Sequence, residues 1–365
     1  MKTRSIFSKF KPYSWESSTS DIASAMRLRP SEIIRMDTNT SPYLPENSLR
    51  ALSKEATKMR VNDYPDTSYL ALRRGLGDYC NLGIDNFVMT NGADEALDIV
   101  AKTLLDPDDE VIIPSPSYSM FRVTSELMGA KSIFVPREKN FGIDIAEIES
   151  KITKKTKIIF LCSPNNPTGN TVSFKEVESL LERSGNKMIV IDEAYFEFSG
   201  KSFARLTNVH DNLLVIRTFS KAFSMAGVRV GYIIASKKSV NKLNVVRPPN
   251  SLGVISLYLA QKALDDKASM RRNVRSIVKE RERMINRMRE EKKLEVFSSE
   301  ANFVLFRLRN GDSGYLHKKL LKKGFVLRNF SDTPGIEDCL RVTVNTPRVN
   351  DLFLRRLSLE MQSRV

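Results

Sequence analysis

One primary amine sits among hydroxyls and a guanidinium: Thr218, Ser220, Lys221 and Arg229 share a single short stretch. A lysine amine can form a Schiff base with an aldehyde, and hydroxyls beside an arginine can hold a phosphate. A lysine nucleophile with phosphate-binding neighbours is what pyridoxal-phosphate chemistry needs. Most lysines are solvated surface charges, so the weight of Lys221 depends on what accompanies it.

Its companions each follow an apolar run. Asn-Gly-Ala-Asp-Glu at 91–95 opens a helical pattern. A glycine turn into a helix start offers free backbone N–H groups and the positive dipole end to a phosphate; the plainer alternative is Asp94 as an N-cap. Ser-Pro-Asn-Asn-Pro-Thr-Gly at 163–169 places two amides between prolines and a glycine. There Asn166 can donate to a phenolate oxygen, although such residues also build ordinary turns. Asp-Glu-Ala-Tyr at 192–195 offers a carboxylate to a pyridine nitrogen and a phenol, Tyr195, to the same ring's hydroxyl; an acidic N-cap is the default there. Tyr118 can stack on a flat cofactor or fill the core. Arg328 and Arg341 sit in apolar segments near the chain end. A guanidinium there needs an anion, either a substrate's anionic end or a protein carboxylate.

These groups need a scaffold. Short apolar, β-branched runs at 86–90, 110–113, 132–135, 157–161, 188–191, 213–217 and 230–235 predict strands, with helical patterns between several of them at 93–105, 118–128 and 173–182. The alternation predicts an α/β fold with a mostly parallel seven-stranded sheet between helices. Ligands of such sheets bind beyond the carboxyl ends of the strands. After Pro248 and Pro249 come one or two long helices over 257–289, a strand at 302–307, a helix at 314–323 and strands at 325–328 and 339–344, the pattern of a smaller α+β domain. The expected division is a large domain over 36–250 and a small one from 1–35 and 251–365.

The 365 residues carry 58 Lys and Arg against 43 Asp and Glu, a net charge of +15. Such a balance favours anionic ligands and permits nonspecific nucleic-acid contact. Much of the excess lies in 270–293, whose spacing suits an amphipathic helix with Met and Ile inside better than a specific nucleic-acid grip. No apolar run is long enough to span a bilayer. Residues 1–11 are basic but lack the apolar core of a secretory signal. Cys80, Cys162 and Cys339 fit reduced thiols, hence a cytoplasmic location, and with only His210 and His317 neither a metal site nor a Ser-His-Asp triad is expected.

In this order the motifs resemble those of fold-type I aminotransferases, and within them the histidinol-phosphate aminotransferase family, over roughly residues 11–350. The resemblance implies that Lys221 holds pyridoxal 5'-phosphate covalently and moves the proton. It implies that Asp192 pairs with the pyridine nitrogen, Asn166 and Tyr195 hold the phenolic oxygen, and Tyr118 stacks. Ala93, Asp94, Ser220 and Arg229, with Thr218 nearby, would cradle the phosphate. Tyr64 resembles a tyrosine that reaches the phosphate of the opposite subunit, which implies a homodimer. Tyr13, Arg328 and Arg341 resemble the contacts to the substrate phosphate, and Asn39 borders the substrate. The implied reaction is ping-pong transamination between a small-molecule amino donor, histidinol phosphate, and 2-oxoglutarate, in histidine biosynthesis. An aromatic or broad-specificity aminotransferase or a threonine-phosphate decarboxylase would use the same motifs; a nonenzymatic nucleic-acid-binding protein would not need them. One segment departs from the family pattern. Where Asn-Glu-Asn-Pro and a glycine are common, this chain keeps Asn39 and Pro42 but not the second Asn, the Glu or the Gly. That departure bears on the substrate and not on the cofactor.

Overall fold

Most of the apolar runs become strands because they are buried on both faces; the run at 132–135 is partly exposed, with Phe134 at the surface. A computed structural model describes residues 2, 4–8, 10 and 16–362. In chain order its strands are β1 (Ile34–Arg35), β2 (Phe87–Thr90), β3 (Glu110–Ser115), β4 (Lys131–Pro136), β5 (Thr156–Cys162), β6 (Met188–Asp192), β7 (Leu213–Thr218), β8 (Gly231–Ile234), β9 (Leu294–Val296), β10 (Phe303–Leu308), β11 (Phe325–Val326), β12 (Arg328–Asn329) and β13 (Cys339–Thr343).

Seven of them form one sheet in the order β2-β8-β7-β6-β5-β3-β4. Only β8 runs antiparallel to its neighbours, β2 and β7; the other pairings are parallel. Successive side chains point to opposite faces of a strand, and the two faces feed two cores. Ile159, Leu161, Ile189, Ile191 and Val215 join one; Ile158, Phe160, Val190, Leu214 and Ile216 join the other. Helix Gly92–Leu104 packs Leu97, Val100 and Ala101 into the second core.

Residues beyond 290 build a separate antiparallel sheet, β12-β13-β10-β9. The expected single strand at 325–328 divides at Leu327. Its first half pairs in parallel with β1 and its second half joins β13. The expected helical span at 257–289 divides as well, into Val254–Asp265 and Lys267–Arg289, at Asp266, whose carboxylate accepts from the Ser269 amide. The long second helix buries Met270, Val274, Ile277, Met284, Ile285 and Met288 along one stripe, the amphipathic reading of that charged run. No helix among the described residues is long and apolar enough to cross a membrane.

Candidate active site

The carboxyl ends of β5, β6 and β7 open on a cavity of about 450 Å³. Ala93, Asp94, Tyr118, Asn166, Asp192, Tyr195, Thr218, Ser220, Lys221 and Arg229 all line it, as do Asn39, Arg328 and Arg341. Tyr64 does not; it is 85% exposed on the surface. Tyr13 lies outside the described residues.

Lys221 follows the end of β7, and its Nζ donates to the Thr38 carbonyl at 3.1 Å, 5.6 Å from the centre of the Tyr195 ring. Burial lowers its pKa to about 8; the Arg341 charge pushes the same way and Asp94 opposes. A buried amine so shifted is partly neutral near physiological pH, as a nucleophile must be. Asp192 is the last residue of β6 and only 3% exposed. Burial raises its pKa to about 7, against the hydrogen bond that Oδ1 accepts from the Ala194 amide at 2.9 Å. A carboxylate in that position gains most from a cationic partner.

Tyr195 is buried, and its hydroxyl accepts from Asn39 Nδ2 at 3.0 Å. Asn166 Oδ1 accepts from Arg341, which also donates to the Asp37 carbonyl. Its neighbour Asn165 faces away from the cavity. Asn165 donates to the Pro116 carbonyl and to Thr168, and so holds the loop's shape.

At the other end of the cavity, Thr218 Oγ1 donates to Ser220 Oγ at 2.8 Å, and Arg229 reaches Ser220 at 3.4 Å and Asp94 Oδ2 at 3.2 Å. The Tyr118 hydroxyl donates to Asp94 Oδ1 at 2.9 Å. Asp94 is therefore held by side chains, and the plainer N-cap alternative does not hold: the helix start is closed by Glu95, which accepts from the Asn91 amide at 2.6 Å. Space here is kept by glycines. Gly92 has φ +78°, and a Cβ on it would stand 2.5 Å from an Arg229 nitrogen. A Cβ on Gly231 would stand 2.5 Å from the Gly92 carbonyl carbon. Backbone N–H groups, two hydroxyls and a guanidinium converge where a helix begins, the donor set for a phosphate. With the amine of Lys221, the buried carboxyl of Asp192 and the phenol–amide pair of Tyr195 and Asn166, the residues present fit pyridoxal phosphate.

Several lining groups carried no sequence signal, among them Asp37, Thr38 and Phe330. Asp37 is fixed by a bidentate pair with Arg35 at 2.7 and 2.8 Å. Nothing local marks them, because the chain that brings them in is short and irregular. Arg328 meets a protein carboxylate, Glu16, at 3.2 Å, the second of its two expected alternatives.

The aminotransferase class I and II family matches residues 31–357. The chain is 34% identical over 329 residues to a histidinol-phosphate aminotransferase of Ruminiclostridium cellulolyticum, covering 89% of this chain and 91% of that protein. It is likewise 34% identical to one of Methanocaldococcus jannaschii, over 98% of this chain and 96% of the other. The crystal structure of the histidinol-phosphate aminotransferase from Clostridium acetobutylicum is similar with a TM-score of 0.84 at 28% identity, over 90% of this chain and all of that one. Likeness at this level, along nearly the whole chain and over the same fold, makes this protein a member of the aminotransferase class I and II family.

Proposed function

We propose that this protein is a pyridoxal-phosphate-dependent aminotransferase that exchanges the amino group of histidinol phosphate with 2-oxoglutarate, a step of histidine biosynthesis. The observation that carries this reading is the partly buried Lys221, its amine desolvated, in one cavity with the buried Asp192 and a phosphate-binding corner. The substrate rests on the relatives, which are histidinol-phosphate aminotransferases.

Pyridoxal phosphate, when bound, supplies an aldehyde for condensation with amines and a ring that accepts the electron pair left at the donor's carbon. Lys221 would hold it covalently, and the Nζ amine, when free, would serve as the general base and acid that takes and returns the donor's proton. Asp192 would pair with the pyridine nitrogen and favour its protonated form. Asn166 and Tyr195 hold the phenolic oxygen, with Asn39 orienting Tyr195. Tyr118 would stack on the ring. Ala93, Asp94, Ser220, Arg229 and Thr218 form the phosphate corner. Tyr64 completes it from a second copy of the chain, so the working unit is a homodimer; its exposure here supports that assignment. Tyr13, Arg328 and Arg341 bind the substrate's anionic end, Arg328 exchanging Glu16 for it. The division into 36–250 and 1–35 with 251–365 is supported by the two sheets and by β1 pairing with β11. Three free cysteines support a cytoplasmic location.

The test is the cofactor's spectral change on addition of histidinol phosphate, phenylalanine or O-phosphothreonine. Histidinol phosphate is expected to convert it fastest. Conversion by phenylalanine alone moves the assignment to an aromatic aminotransferase, with Arg341 holding an α-carboxylate, and carbon dioxide from O-phosphothreonine moves it to a decarboxylase.

A further inference from the structure

Behind the active site lies a second constellation. Glu193 follows Asp192, and Arg217 precedes Thr218, but neither lines the active cavity. They pair with each other at 2.8 Å, both buried. Arg217 opens instead on a different cavity, of about 420 Å³, with Tyr79, Phe196, Met270 and Val274 as its apolar wall. That volume falls in the range of small-molecule sites, about 300–1,000 Å³.

The Arg217 guanidinium is fully engaged. It donates to Glu193, Ser202 and Cys80 and lies 3.6 Å from the Phe196 ring centre. Three others on the same cavity are not: Arg205, Arg271 and Arg275 make no ion pair or hydrogen bond among the described residues. Arg271 and Arg275 are one turn apart on helix Lys267–Arg289, where like charges repel. Other arginines of that helix are matched: Arg281 with Glu282, Arg283 with Glu280 and Asp351, Arg287 with Glu290. At the cavity, Glu197 Oε2 is buried with no hydrogen-bond partner among the described residues. Burial raises the Glu197 pKa to about 8, with the Arg217 charge opposing. At neutral pH it therefore carries a proton and offers a donor, not a repelling charge.

We propose that this cavity is a second ligand site for a small organic anion, a carboxylate or phosphate on a ring-sized apolar body. Arg205, Arg271 and Arg275 hold the charge, Tyr79, Phe196 and Val274 take the body, and Glu197 donates. An anion there relieves the repulsion between Arg271 and Arg275 and satisfies the orphaned carboxyl. The site does not depend on the substrate assigned to the active cavity.

The experiment is calorimetric titration of the cofactor-loaded enzyme with phenyl phosphate, benzoate and, as the uncharged control, benzyl alcohol. At least one anion is expected to bind with Kd at or below about 1 mM, and the alcohol much more weakly. The better anion identifies the charged group. Arg271→Ala with Arg275→Ala is expected to weaken that anion about tenfold or more and to leave kcat/KM for the amino donor unchanged. Should that double variant fail to fold, Arg205→Ala, on a different element, provides the same comparison. Undiminished affinity in the folded variant, equal binding of the alcohol, or no anion binding up to about 10 mM overturns the proposal.

Discussion

Asn39 and Tyr195, 156 residues apart in the chain, meet at 3.0 Å, the asparagine amide donating to the buried phenol oxygen. Asn39 is itself clamped by Thr343, whose hydroxyl accepts from the Asn39 backbone N–H at 3.0 Å and donates to its side-chain oxygen at 3.2 Å. Its φ of +54° is one that asparagine tolerates better than most residues. The Tyr195 ring packs edge-on against Phe303 at 5.2 Å. Three remote segments thus fix one hydroxyl at the cavity.

That arrangement predicts a graded loss. Asn39→Ala removes the partner of a buried hydroxyl, which costs about 1–3 kcal/mol, and forces alanine into a left-handed backbone. Asn39→Gly keeps the backbone relaxed and should be more stable than the alanine variant by about 1 kcal/mol. Thermal unfolding of the two variants and the parent checks the order; equal melting temperatures for Ala and Gly would falsify the backbone part.

Asp192 gives a pH signature in the cofactor-free protein. Its folded pKa of about 7 exceeds the ordinary 3.8. Folded protein therefore holds this proton where unfolded chain has lost it, and stability from this group is full below pH 3.8 and lost as pH rises through about 7. The slope is at most about 1.4 kcal/mol per pH unit. Asp192→Asn should flatten the decline, although Glu197, also raised, still contributes in both proteins. Denaturant unfolding from pH 4 to 8 measures it, and parallel curves for the two proteins reject the buried carboxyl as the source.

Gly92→Ala should weaken both cofactor binding and the fold. The new Cβ stands 2.5 Å from Arg229 and must displace it, at a left-handed φ. Gly227→Ala is the control, since nothing lies within 4 Å of its Cβ. The expected backbone cost at Gly92 is about 1–2 kcal/mol, with a drop in cofactor affinity of roughly tenfold or more for the lost guanidinium contact. Cofactor titration of both variants decides it, and equal affinities sink the idea.

Lys221→Ala and Tyr64→Ala should each be nearly inactive, and borohydride should no longer attach the cofactor to the lysine variant. If Tyr64 serves the partner's site, a mixed dimer holds one site with both residues intact. Mixing the two variants under exchange conditions should then restore activity. No recovery in verified mixed dimers places Tyr64 elsewhere.

Elements were legible because burial patterns are local. The run 156–162 is apolar at nearly every position, and β5, covered on both faces, requires that. Motif chemistry was legible too, since Lys221, Asp192 and Asn166 stand at the ends of recognisable strands and loops. The split at Leu327 was not: a strand that changes partners has the same composition as one that does not.

The amino-acid sequence by itself determined which chemical groups this protein carries, the order in which they leave its strands, and the family to which it belongs. Only the tertiary structure decided which of them meet. Arg328 meets Glu16 across 312 positions, and Arg341 reaches Asn166 across 175. Tertiary burial also shifted the pKa of Asp192 and of Lys221, because the largest cause in each, desolvation, depends on everything packed around the group and not on its sequence neighbours alone.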